Sequence, residues 1–404
     1  MKVDKAIKAT FNTNLIILNG FLVALLVGTI LLMLPVSSAS GNGTDFITAL
    51  FTATTSLCVT GLVVVPTYAY WSIFGKVIIL ILIQLGGLGI ISFTIGFLII
   101  IGKKISLKER KMIQESYNLD SAQGVLKILR KIFGITVKIE GIGAILYSIQ
   151  FIPEYGIVKG ICYSVFHSVS AFCNAGIDII GNDSFVKYHG NVLVNFTTVM
   201  LIICGGIGFI VWLDIGGIIS EIRNKKLRPN KFIERMKLHT KLVLITTAIL
   251  VGGGFLFILL FEYNNPDTLG NMTFGNKCLA ALFEAVTLRT AGFITVPQAG
   301  FRDGTFMIMC GMMIVGGSPL GTAGGIKTTT LALVFLLTWA TIKGKDDIEV
   351  CRRRINKQNV RSAVAIGTIV LSILAVAIMA LSYGRCTFES DYIRGCFGSW
   401  NSWT

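Results

Sequence analysis

The sequence predicts an all-α integral membrane protein made of repeated units, in which two spanning helices flank a short re-entrant one. Three observations predict it. Hydrophobic residues make up 53% of the chain and charged residues 14%, with a mean hydropathy of +0.74; soluble domains are about 25% charged. Apolar runs of roughly 20 residues, the length that crosses a bilayer, recur along the chain. Between them a shorter run appears three times: ALFTATTSLCVTGL at 49–62, SVFHSVSAFCNAGI at 164–177 and ALFEAVTLRTAGF at 281–293. Each has a Phe near its start (Phe51, Phe166, Phe283) and ends on a Gly followed by a large apolar residue (Gly61, Gly176, Gly292). Such runs are too short to cross, so they enter and return on one side. Non-helical backbone at that depth is tolerated only where protein or a water-filled cavity satisfies it.

Charge sets the orientation. Of 36 Lys and Arg, 23 fall in 1–11, 102–112, 221–241 and 343–361, whereas 35–76, 153–190 and 262–304 hold 1, 2 and 3. This is the positive-inside pattern. It puts the N-terminus and the basic segments in the cytoplasm, and the re-entrant runs open to the outside. The same distribution disfavours a nucleic-acid surface as the reason for the net charge of +15. The run beginning near Leu15 has no small-residue cleavage site before Pro35 and is expected to be a retained helix. The nine cysteines show no metal spacing, and reduced, buried thiols are expected.

The elements then follow in order. Unit one takes 1–101, with long helices at about 13–34 and 72–101 around the run ending at Gly61. A cytoplasmic linker covers 102–124. Unit two takes 125–220, with helices at 125–152 and 191–220, and a linker covers 221–237. Unit three takes 238–342, with helices at 238–262 and 305–342, and a linker covers 343–358. Unit four begins at 359, has one helix to 384, and turns aberrant from about 385 to 404. Three units are thus complete and the fourth is not.

A dehydrated K⁺ needs oxygens in place of its water, and rings of backbone carbonyls supply them in known channels. Fourfold repetition about one axis would build such rings, and Gly admits backbone geometries closed to other residues. The candidate filter residues are Cys58, Val59, Thr60 and Gly61, then Cys173, Asn174, Ala175 and Gly176, then Arg289, Thr290, Ala291 and Gly292. One such Gly would be an ordinary tight turn; three at matching places argue for a repeated device. The longest apolar run is broken by Gly316, Gly317, Ser318, Pro319, Gly321, Gly324 and Gly325. That density interrupts a helix, leaving either a kink or an unwound intramembrane loop. Lys327, a lone cation there, faces a cavity or a partner, or snorkels. GTAGGIKT is not a phosphate loop, because Ile326 separates Gly325 from Lys327 and no strand precedes it. His167 is expected to be a hydrogen-bonded structural histidine. Asp178 reads equally as a cation-attracting acid at the mouth or as a solvated loop acid.

TSLCVTGL (55–62), FHSVSAFCNAG (166–176), LRTAGF (288–293) and GGSPLGTAGGIKTTT (316–330) resemble the Trk/Ktr/HKT superfamily of potassium transporters, the Ktr-type membrane subunit above all. The resemblance runs from about residue 11 to 384. It implies four helix–pore-helix–helix repeats around one pseudo-fourfold pore, with Gly61, Gly176 and Gly292 as three of four filter glycines. It also implies a gate loop at 316–325 just below the filter, K⁺ as transported ion and Na⁺ as a coupling ion. The implied partners are a second copy in a homodimer and a cytoplasmic ring of nucleotide-binding regulatory subunits, in a prokaryotic plasma membrane.

The tail departs from this pattern. Residues 385–404 carry neither an apolar run nor a filter. Read one base out of frame, Trp400 with Asn401 and Trp403 with Thr404 each force a Gly, and FEVVSAVGTVGL is among the permitted readings. The tail is therefore expected to be the fourth filter segment out of frame, and the chain as written is expected not to conduct selectively. The rival function is a secondary transporter of another cation or small solute, which would use inverted repeats, whereas these share one orientation. A membrane enzyme is disfavoured: there are no paired carboxylates, no HExxH and no Ser/His/Asp set in a cytoplasmic loop. No covalent cofactor is expected.

Overall fold

A computed structural model describes residues 2–89, 125–181, 183–344, 349–350 and 353–383. The expected helix residues 90–101, the basic run 102–112 and the tail from 385 lie outside the described residues. Among the described residues, loops join the helices and the one sheet is a hairpin pairing Glu349 with Arg354 and Val350 with Arg353. The longer helices are α1 (Lys2–Met33), α2 (Phe46–Leu57), α3 (Ile73–Leu88), α4 (Val125–Tyr155), α5 (Ile157–Phe172), α6 (Val192–Gly206) and α7 (Phe209–Arg223). They continue with α8 (Leu238–Glu262), α9 (Phe274–Thr287), α10 (Asp303–Met313), α11 (Thr328–Ile342) and α12 (Lys357–Tyr383).

Local chemistry sets the boundaries. Asp45 caps α2 by accepting from the Ile47 N–H at 3.0 Å, and Ser72 caps α3 by accepting from Gly75 at 3.2 Å. Each satisfies an N–H that has no partner within its helix. Pro35 stops α1. A single residue, Gly156 at φ +80°, joins α4 to α5, and few residues other than Gly take that left-handed value.

By length and composition, Leu126–Tyr155, Leu238–Glu262 and Lys357–Met379 can each cross a bilayer among the described residues. Each carries outward apolar residues: Ile145, Ile249 and Ile373 are all mostly exposed. An apolar helix face uncovered by protein is what acyl chains cover.

The structure corrects two elements: the helix expected at 72–101 ends at Leu88, where Gly89 takes a left-handed φ of +78°. The segment read as a single helix at 191–220 is two helices, α6 and α7, parted at Gly208, whose φ is +93°. The neighbouring glycines remove the side chains that would hold the helix together.

Two compact units form. The first takes Met1–Gly205, Ala291–Thr295 and Leu320–Thr322; the second takes Gly206–Thr290, Val296–Pro319 and Ala323–Thr404. The first holds an aromatic cluster that includes Tyr147, Phe151, His167 and Phe185, all fully buried. The core of the second packs Ile258, Leu269, Ala281, Val296 and Met309.

Candidate functional site

The three short helices end in one geometry. Past α2 comes Val59 at φ +56°, past α5 Asn174 at φ +59°, and past α9 Thr290 at φ +62°. Two residues on, Gly61, Gly176 and Gly292 take φ of +84°, +66° and +80°. The first left-handed residue peels the chain off its helix. Accordingly Thr60 N–H donates back to Thr55 O, and Ala175 N–H to Ser170 O, each at 2.8 Å. This closure uses carbonyls that the helix end leaves free. A left-handed β-branched residue such as Val59 or Thr290 costs about 1–3 kcal/mol and persists where its surroundings enforce it. The same strain in all three runs marks one device used three times.

In the first unit the second and third runs meet backbone to backbone. A Cβ on Gly176 would fall 2.5 Å from Ala291 O and 2.7 Å from Gly292 Cα, so no side chain fits there. Ala175 and Ala291 are buried beside it. Ser170 donates its hydroxyl to Ile177 O at 2.7 Å, which occupies the carbonyl just past Gly176. Farther out, Phe185 N–H donates to Ile294 O at 2.9 Å, and the Phe185 and Phe293 rings stack 5.0 Å apart.

His167, in the helix of the second run, is fully buried. Its Nδ1 lies 2.7 Å from Tyr163 O and its Nε2 accepts from Ile179 N–H at 3.3 Å. The ring therefore carries its proton on Nδ1 and braces the post-Gly176 backbone, as a structural histidine does. Two residues past Gly176, burial pushes the Asp178 carboxyl up to about 6, against the pull of the Ile180 and Gly181 N–H groups and the Ser184 hydroxyl.

Glycine pairs support the helix ends. A Cβ on Gly86 would lie 2.0 Å from Leu57 O, one on Gly87 2.6 Å from Cys173 Sγ, and one on Gly205 1.9 Å from Phe172 O. The sequence signals Gly86–Gly87 and Gly205–Gly206 only as a Gly-Gly pair downstream of each run, repeated at Gly316–Gly317 in the loop after the third. Gln84 also donates to Glu140 Oε1 at 2.9 Å and receives a weak Cys173 Sγ contact at 3.5 Å, beneath the second run.

The Gly-rich stretch is an ordered loop between α10 and α11. In the second unit, Ile326 N–H donates to Ile314 O at 2.8 Å, Thr328 N–H to Gly317 O at 3.0 Å and Ser318 N–H to Gly206 O at 2.8 Å. Its two strands touch: a Cβ on Gly316 would lie 1.9 Å from Gly324 O. Gly325 takes φ +65° and Leu320 φ +58° around the tip that holds Pro319 and Gly321. Lys327 donates to Ala323 O at 2.8 Å, within the loop. The Arg289 guanidinium donates to Gly316 O at 3.0 Å, and Thr290 Oγ1 accepts from Gly324 N–H at 3.0 Å. In the first unit, Thr322 donates its hydroxyl to Phe172 O at 2.8 Å and lies 3.2 Å from Asn174 Oδ1, and its N–H donates to Gly205 O at 3.1 Å.

Comparison with known proteins gives a consistent result. A family model described as "TrkH: Cation transport protein" matches residues 2–391. The chain is 40% identical to the potassium/sodium uptake protein NtpJ of Enterococcus hirae, over 94% of this chain and 81% of that protein. It is 36% identical to the Ktr system potassium uptake protein B of Bacillus subtilis, over 95% and 83%, and 35% identical to the protein of that name in Vibrio alginolyticus, over 93% and 81%. Among solved structures it resembles the potassium transporter TrkH from Vibrio parahaemolyticus with a TM-score of 0.65 at 17% identity, over 90% of this chain and 71% of that one.

Proposed function

Because the chain belongs to the TrkH family of cation transport proteins, we propose that it takes up K⁺ across the plasma membrane through a carbonyl-lined filter at 58–61, 173–176 and 289–292. The observation that carries this reading is the left-handed turn and left-handed Gly repeated after α2, α5 and α9. A helix end followed by such a turn frees successive carbonyls from intrahelical bonds, and carbonyls are what K⁺ exchanges for water. The printed names of the relatives, potassium uptake proteins and one potassium/sodium uptake protein, support K⁺ as the ion and Na⁺ as a coupling ion. The loop at 316–325 is the gate in this reading. The basic segments face the cytoplasm, where a ring of nucleotide-binding subunits docks on a homodimer.

Rb⁺ influx into a K⁺-uptake-deficient bacterial strain tests it, with Gly61→Ser beside the unmodified chain. Gly61 sits at φ +84°, so a serine distorts the filter and influx falls at least tenfold. Equal influx in both would sink the filter assignment.

A further inference from the structure

Arg289 and Thr290 lie in the third run, where backbone carbonyls would serve an ion, yet their side chains turn to the loop. Arg289 follows the C-cap residue Leu288 and is only 4% exposed, so its charge sits away from water. A buried guanidinium has to be neutralised or multiply hydrogen-bonded. One of its bonds goes to Gly316 O at 3.0 Å. The next residue, Thr290, is held left-handed at φ +62°, and its hydroxyl takes the Gly324 N–H at 3.0 Å. Gly316 and Gly324 are the two residues pressed together at the neck of the loop, and Ile326 N–H to Ile314 O closes that neck one step out. Two adjacent residues of one run thus bind both strands of one neck. The loop cannot open there without releasing both side chains.

We propose that Arg289 and Thr290 are positioning residues that latch the closed loop to the base of the third run, so that loop opening and the conformation of that run are a single coupled event. The strain at Thr290 fits this role: its left-handed backbone is what aims its hydroxyl at Gly324. The charge of Arg289 therefore serves the loop and not the ion. The latch bears on gating only if the chain transports ions as proposed above.

Hydrogen exchange of the full chain in lipid nanodiscs tests the latch without relying on transport. Arg289→Gln and Thr290→Val each remove one arm. Each is expected to speed exchange in peptides covering 314–327 by about tenfold or more, as loss of a buried bond to a charged or hydroxyl partner implies. Arg289→Lys and Thr290→Ser, which keep a donor or acceptor, should return exchange to within about threefold of the parent. Exchange in peptides covering 288–293 should rise together with the loop, while α8 stays protected throughout. Unchanged loop exchange in both removal variants overturns the latch, as does a failure of the conservative variants to rescue, a loop that speeds up while 288–293 does not, or a parallel rise in α8. If Arg289→Gln does not assemble, Thr290→Val, a near-isosteric change, decides alone. Rb⁺ influx measured on the same variants separates the two readings. Faster loop exchange with no influx in any form leaves the latch standing and removes the transport function.

Discussion

Gly176 Cα lies against the Ala291 carbonyl so closely that an added Cβ would come within 2.5 Å of its oxygen. The clash is with backbone, which cannot rotate away. Gly176 also holds φ +66°. Gly176→Ala therefore meets steric exclusion and left-handed strain of about 1–2 kcal/mol together. Rb⁺ influx is expected to fall at least tenfold, with membrane abundance within twofold of the parent. A variant with ordinary influx would mean that this contact does not shape the ion path.

Gly205 offers the counterpart in a helix. A Cβ there would lie 1.9 Å from Phe172 O, the carbonyl that also receives the Thr322 hydroxyl. Gly205→Ala forces α6 away from the end of α5 and is expected to destabilise the chain by about 1–3 kcal/mol. Thermal unfolding in detergent, followed by fluorescence-detected size exclusion, reads this as a lowered midpoint. An unchanged midpoint would show that the helix can yield.

His167→Ala removes two hydrogen bonds and a ring from a closed aromatic cluster. Bonds of this kind are worth about 1 kcal/mol each, and the cavity adds more, for a total of roughly 2–5 kcal/mol. The same unfolding assay should show a larger drop than for alanine at a lipid-facing position such as Ile373. An equal drop at both sites would rule out a bracing role.

Asp178 gives a pH dependence of definite sign. Its carboxyl is raised to about 6 from 3.8 by burial. The native state therefore holds a proton that the unfolded chain has already lost, and the contribution to stability declines as pH rises between those values. Above about 6 the group is charged, two residues past Gly176. Cation influx is expected to rise as external pH passes upward through 6, and Asp178→Asn should flatten that step while raising stability at neutral pH. Asp183, the nearby acid, helps hold the Asp178 carboxyl up, so Asp183→Asn should move the step to slightly lower pH without flattening it.

The sequence disclosed the fold class and the three runs because both rest on composition and repeated spacing. It disclosed the Gly-rich interruption because glycine density breaks any helix. Three things it did not disclose. Val59, Asn174 and Thr290 take left-handed backbone that nothing in their side chains favours, save for Asn; only packing enforces it. The break at Gly208 lies inside an apolar run whose hydropathy is uninterrupted. Arg289 reads as one more residue of a filter, because the sequence cannot show which way a guanidinium turns.

One connection carries a consequence for how the chain is made. Gly156 alone links α4 to α5, and Gly160 sits so near the Ile152 backbone that a Cβ would lie 2.6 Å from its Cα. Helix and return helix form a closed hairpin with no slack, from contacts local in sequence. Such contacts assemble early, before distant ones can form. During biogenesis residues 125–172 would enter the bilayer as one preassembled piece, and the other segments would find their places around it.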